Sequence, residues 1–276
     1  MSFVQKGHGP LNYNPVSYGG ALLQFRGPAA DLDGPYIVCL GGSETYGRFI
    51  HTPYAALLND RLAMPVVNLG VMNAGLDVML QDEGIRSVVQ GAAAVVLQIP
   101  GAQNMTNRFY SVHPRRNDRF VKASGMLRTI YRDVDFTEFH FTRHMLTHLA
   151  NLSRDRFAIV IGELQQAWLA RMGHALKQID VPVHLLWLSN RAPADLPDGA
   201  GMGRDPLFVT AAMLDEVARC AASLTLALPP DTWRKAPTRG MFFAAREEAA
   251  ARVLPGPAVH SRAANLLAEV LGAKFT

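Results

Sequence analysis

Five short runs constrain this chain more than anything else in it: YIVCL (36–40), PVVNL (65–69), AAVVLQI (93–99), VHLLWLS (183–189) and SLTLAL (223–228). Each is apolar almost throughout, too short for a buried helix, and most run straight into glycine or polar residues, which suits strands covered on both faces. Helical patterns separate or follow them, at about Pro53 to Leu62, 77–90, 160–178, 208–221, 242–253 and 261–271. Strand alternating with helix predicts a parallel sheet, and strands this apolar need helices on both sides. The expected fold is therefore α/β, a three-layer α/β/α sandwich on five parallel strands, with chemistry at their carboxyl ends.

Two segments stand outside that rhythm. Residues 1–35 are rich in Gly, Pro, Asn and Ser and read as an arm on the surface of a domain spanning 36–276. Residues 101–157 are too long for a crossover and read as an insertion over the sheet edge or the active face. The net charge of +4 is localised there: of 22 arginines and 5 lysines, nine arginines and Lys122 fall in residues 101–160, against Asp118, Asp133, Asp135, Glu138 and Asp155. Within RFYSVHPRRNDRF (108–120), Arg108, Tyr110, His113, Arg115 and Arg116 are candidates for binding an anionic substrate, a glycan or a coenzyme phosphate. The alternative is that these arginines pair with nearby acids or across a homo-oligomer interface.

Several classes are excluded. With no lysine tract, helix-turn-helix pattern or stacking-strand motif, nucleic acid is not an expected partner. Two cysteines, Cys39 and Cys220, cannot make a disulfide scaffold. The longest apolar runs are about half of a membrane span and the start lacks an apolar signal core, so no membrane partner and a cytoplasmic location are expected. His140, His144 and His148 recur every fourth residue near Glu138, but without an H-E-x-x-H pattern or a cysteine they read as packing, and neither metal nor other cofactor is expected.

The strongest chemical signal is LGGSETYG (40–47), which places Ser43 on a glycine turn after the first strand, beside backbone amides able to stabilise an oxyanion. An anion-binding turn or a purely structural one remains open; the spacing fits neither a dinucleotide fingerprint nor a Walker loop. NLGVMNAG (68–75) after the second strand offers Gly70, Asn68 and Asn73, and PGAQN (100–104) after the third offers Gln103 and Asn104 as amide donors. His260, after LPGPAV and before the last helix, is the best-placed general base among nine histidines.

That order of blocks resembles the SGNH or GDSL hydrolase superfamily, and the whole chain is similar to an uncharacterised bacterial family sharing GGSET, NLG-NAG, GAQN, NRFYSVHPRRNDRF and PGP-H. The resemblance implies a flavodoxin-like sheet, Ser43 as nucleophile, His260 as base, and an oxyanion hole from the Ser43 amide, Gly70 and Gln103 or Asn104. It implies hydrolysis of a small or glycan-linked acyl ester, which the arginines would allow to be anionic, or transfer of the acyl group to another acceptor. Three positions depart from the superfamily pattern. Gly42 stands where block one has Asp, Gln103 and Asn104 straddle the register of the block-three amide, and Pro257 replaces the acid three residues before the histidine. An acid orienting His260 would have to come from elsewhere, with Asp205, Asp231 and Glu44 as candidates, and an inactive binding or assembly protein is the contrasting class.

Overall fold

The computed structural model describes residues 10–194 and 201–275; the first nine residues of the expected arm lie outside them. Two dyads open the described chain, β1 (Pro15–Val16) and β2 (Phe25–Arg26), paired antiparallel. Then come β3 (Ile37–Gly41), β4 (Val66–Gly70) and β5 (Ala94–Gln98), the insertion's antiparallel hairpin of β6 (Tyr110–His113) and β7 (Arg116–Ala123), and finally β8 (Val183–Leu188) and β9 (Ser223–Ala227). The central sheet runs β4-β3-β5-β8-β9 with every pairing parallel, the order of a flavodoxin-like sheet. All five expected strands are present, each boundary within one residue of its apolar run.

Ten α-helices accompany them among the described residues: α1 (Ser43–Tyr46), α2 (Tyr54–Asn59), α3 (Leu76–Gln81), α4 (Glu83–Gln90), α5 (Gly125–Ile130), α6 (Thr142–Leu152), α7 (Arg154–Gln178), α8 (Ala211–Ala218), α9 (Glu248–Ala251) and α10 (Pro257–Phe275). Alternate strand residues sort into two cores. Val38, Leu40, Val67, Leu69, Val95, Leu97, Leu185 and Trp187 pack on one face with α3, α4, α7 and α8. Ile37, Cys39, Val66, Ala94, Val96, Leu186 and Leu188 pack on the other with α2 and α10. The period of two along each strand thus makes the three layers.

Local chemistry moves several helix boundaries. The 77–90 pattern divides because the Asp82 side chain accepts the Ile85 N–H at 3.0 Å and caps a fresh helix. The long helix starts at Arg154, earlier than its apolar pattern, because Ser153 caps it. The last helix starts at Pro257, a residue suited to a first turn that needs no N–H donor. His260 consequently sits inside that helix and not in a loop.

The arm and the insertion are part of the core. Phe25 is fully buried, and buried Arg26 donates to the carbonyls of Gly47 (2.7 Å), Ile50 (2.8 Å) and His51 (2.6 Å), closing the turn that follows α1. The arm does not lie merely on the surface. Replacing Arg26 by Met would strand three carbonyls, and should lower stability by about 3 kcal/mol in urea unfolding. In the insertion, Tyr110, Phe120, Leu127, Tyr131, Phe136 and Leu149 join the α7 side of the main core.

Candidate functional site

Between β3 and α1 the chain turns at Gly42, and Ser43 becomes the first helical residue. Its backbone N–H therefore has no intrahelical acceptor. Ser43 lines a cavity of about 180 Å³ at the carboxyl ends of β3, β5 and β8, together with Glu44, Asn73, Gln98, Gln103, Asn104 and Asp205. Its Oγ accepts the Asn73 backbone N–H at 2.9 Å and donates to Asn73 Oδ1 at 3.2 Å. Asn73 reaches both positions from a left-handed backbone conformation, φ +58°, that asparagine tolerates better than most residues. Its own Nδ2 donates to Asp118 of the insertion at 3.3 Å.

The floor is organised by Gln98, the last residue of β5. Gln98 Oε1 accepts from Gly42 N–H (3.0 Å), Thr45 N–H (3.2 Å) and the Thr45 hydroxyl (2.7 Å), while its Nε2 donates to Glu44 Oε2 at 2.9 Å. One amide thus fixes the turn before Ser43 and the carboxylate after it. Burial, reinforced by the charge of Asp205, raises the pKa of Glu44 against the lowering pull of Gln98 and of its own backbone N–H.

The two block-three amides have different tasks. Gln103 Nε2 donates to Asp205 Oδ1 at 2.8 Å, and Asp205 Oδ2 is paired with Arg143 at 2.7 Å. Asn104 Oδ1 accepts from the Thr142 hydroxyl at 2.8 Å, which leaves its NH₂ end as the donor of a residue on the cavity wall. Tyr110, fully buried, donates its hydroxyl to the Gln103 carbonyl at 2.6 Å and holds this loop from below.

Other expected residues are brought elsewhere. A side chain at Gly70 would strike the Tyr46 backbone, so this glycine serves the close packing of α1 on β4, and its N–H, expected to face an oxyanion, donates to Asn68 Oδ1 at 2.9 Å. His260 is 1% exposed and is not among the cavity-lining residues. Its Nδ1 accepts the Tyr54 N–H at 3.1 Å, the Pro255 carbonyl also bonds it, and its ring stacks on Tyr54. Burial, with the nearby Arg26 charge, pushes its pKa down to about 3. Such an imidazole is a weak base, contrary to the role the sequence suggested. Asp231 is exposed at the start of the turn Asp231–Lys235, away from the cavity.

The basic residues divide likewise. Arg108 donates from Nε and Nη2 to Oε2 of buried Glu163 on α7 and from its backbone N–H to Oε1, and Arg156 pairs bidentately with Asp133, so these two anchor the insertion. His113, Arg115, Arg116, Arg119 and His140 line a separate groove beside Leu22 and Leu23. His144 and His148 pack against Phe139.

Three contributors escaped the sequence reading. Gln98 carried a readable signal, a lone amide in an otherwise apolar buried strand. Asn117 is fully buried and accepts the Gly75 (2.9 Å) and Val78 (3.3 Å) N–H groups, so the insertion fixes the loop that carries Asn73. Thr142 orients Asn104 from 38 residues away in sequence; neither it nor Asn117 carries a local signal. Asn117→Ala should weaken folding by about 2 kcal/mol in urea unfolding, because two buried donors lose their acceptor.

One family model, described as "Domain of unknown function (DUF6473)", matches residues 1–275. The chain has no significant match among curated proteins. Among solved structures it is similar to a lipase from a goat rumen metagenome, at 14% identity over 85% of this chain and 96% of the other, with a TM-score of 0.41. It is similar to a carbohydrate esterase family 2 enzyme with a carbohydrate-binding domain from Corynascus thermopiles (Myceliophthora fergusii), at 12% identity over 91% and 69%, TM-score 0.42. A catalytic mutant of an acetylxylan esterase from Geobacillus stearothermophilus gives 14% identity over 87% and 94%, TM-score 0.40. Likenesses this distant carry no functional weight. No described helix is long and apolar enough to cross a membrane.

Proposed function

We propose that this chain, which belongs to the DUF6473 family, hydrolyses small acyl esters with Ser43 as nucleophile. The observation that carries the reading is the position of Ser43: a hydroxyl on the wall of a cavity, at the first turn of a helix, held by the backbone N–H and side-chain oxygen of Asn73. The Ser43 N–H and the Asn104 amide would receive the charge that develops on the ester oxygen, with the Asn73 N–H steadying Oγ. About 180 Å³ is below the size of sites that enclose drug-sized ligands, and suits a short acyl group. Among the described residues the cavity holds two carboxyls, Glu44 and Asp205, and one arginine, Arg48, already paired with Glu247. Neutral esters therefore fit better than the anionic ones that the arginine count suggested.

A fluorophosphonate probe tests this directly. The wild-type chain should be labelled at Ser43 and the Ser43→Ala chain should not, with turnover of an activated acetyl ester lost in parallel. Equal labelling of the two, or none of either, overturns the reading. One observation favours a second reading, a binding protein without turnover: His260 is sequestered, and among the described residues no histidine lines the cavity that holds Ser43. Capture of a short ester without hydrolysis and without labelling would support it.

A further inference from the structure

We propose that Glu44 is the proton-transfer group for Ser43, the place a histidine holds in a serine–histidine pair; this rests on reading Ser43 as the nucleophile. The carboxyl folds back over Gly42. A side-chain carbon at Gly42 would come within 3.2 Å of Glu44 Oε2 and 3.4 Å of the Ala74 carbonyl. Ser43 and Glu44 line the same cavity, together with Asn73 and Ala74, and the transfer proposed runs within it, directly or through one water. The departure at position 42 thereby acquires a physical reason: absence of a side chain there makes room for the acid one residue beyond the serine.

An activated nucleophile needs a base that is itself oriented, and Gln98 Nε2 orients this one at 2.9 Å. Across the cavity Asp205 is held by Arg143 and Gln103. Burial and the Asp205 charge both raise the proton affinity of Glu44, which suits a group that must take and return a proton. Among the described residues, the other charged or titratable groups near Glu44 are Arg48, tied to Glu247, and the Tyr54 phenol of α2, whose proton burial holds firmly.

In the step proposed, the Ser43 hydroxyl proton passes to Glu44 as Oγ bonds to the ester carbon and the carbonyl pair moves onto oxygen. Collapse expels the alcohol oxygen, which takes the proton from Glu44 and leaves an acyl-serine. Water then adds to the acyl carbon and gives its proton to Glu44. The carbon–Oγ bond breaks, Ser43 recovers the proton, and a carboxylic acid leaves.

The test is the pH dependence of fluorophosphonate labelling at Ser43. Glu44→Gln, which keeps a partner for Gln98, should slow labelling about 100-fold or more and erase the acid limb of the profile. Asp205→Asn should move that limb to lower pH, since it removes the charge that helps protonate Glu44; this variant decides the matter if Glu44→Gln does not fold. Labelling of Glu44→Gln within about threefold of wild type with an unchanged limb, or an unmoved limb in Asp205→Asn, overturns the role of Glu44 while leaving Ser43 as nucleophile. No labelling of Ser43 in the wild type overturns both.

Discussion

Gln98→Met should lower folding stability by about 4 kcal/mol or more, one of the two largest effects expected of any single change here. The substitution nearly preserves volume, so packing loss is small. What it removes is an acceptor for three buried donors, the Gly42 and Thr45 N–H groups and the Thr45 hydroxyl, and the donor to Glu44. Each buried polar group left alone costs about 1–3 kcal/mol. Urea unfolding measures the loss, and any folded fraction should label poorly at Ser43 because the turn before it is released. Gln98→Glu provides a sharper comparison. It keeps the acceptor but sets two carboxyls against each other, so one must hold a proton with its pKa raised in the folded chain. Stability gained from that shared proton is complete below the unfolded carboxyl range and is lost as pH rises through the raised value, so this variant should be steadier in acid relative to neutral pH than Gln98→Met. A Gln98→Met chain as stable as wild type would mean that water replaces all four bonds.

The fold was legible because its information is repetitive. Five apolar runs separated by helical patterns leave few alternatives to a doubly covered parallel sheet, and Ile37 through Leu40 already alternate between the two cores that the helices build. That Ser43, Gln103 and Asn104 would share one cavity was legible for a related reason: strand ends in a parallel sheet converge, so residues far apart in sequence are brought to one rim. His260 misled because position along the chain does not reveal depth. Pro257 starts the helix before the histidine, and the ring turns into the α2 and α10 core. Arg108 misled differently. A basic cluster looks alike whether it faces a ligand or a buried acid, and Glu163, its partner, lies 55 residues later within an amphipathic helix. Asn117 and Thr142 were unreadable because each acts on a loop from a distant segment, through geometry that exists only after folding.

His260 should make the chain acid-labile while contributing little to the chemistry at Ser43. In the folded state the imidazole is neutral, with its pKa pushed down to about 3 mainly by burial. In the unfolded chain it returns to about 6.5. Between those values the unfolded chain binds the extra proton, so stability is complete above about pH 6.5 and declines as pH falls toward 3. The slope approaches 1.4 kcal/mol per pH unit, or about 4–5 kcal/mol across the window, comparable with the whole stability of a marginal domain. His260→Asn separates this from the carboxyls that also titrate in acid, because an Asn side-chain oxygen can still accept from the Tyr54 N–H but carries no titrating proton. Urea midpoints at pH 7, 6, 5 and 4 should fall less steeply for His260→Asn than for wild type, even though the smaller side chain begins from lower stability. Ser43 labelling by fluorophosphonate at neutral pH should stay within a few-fold of wild type in the folded variant. A thousandfold fall in labelling with the stability slope unchanged would make His260 the base after all, and would require the α2 and α10 packing to open during reaction.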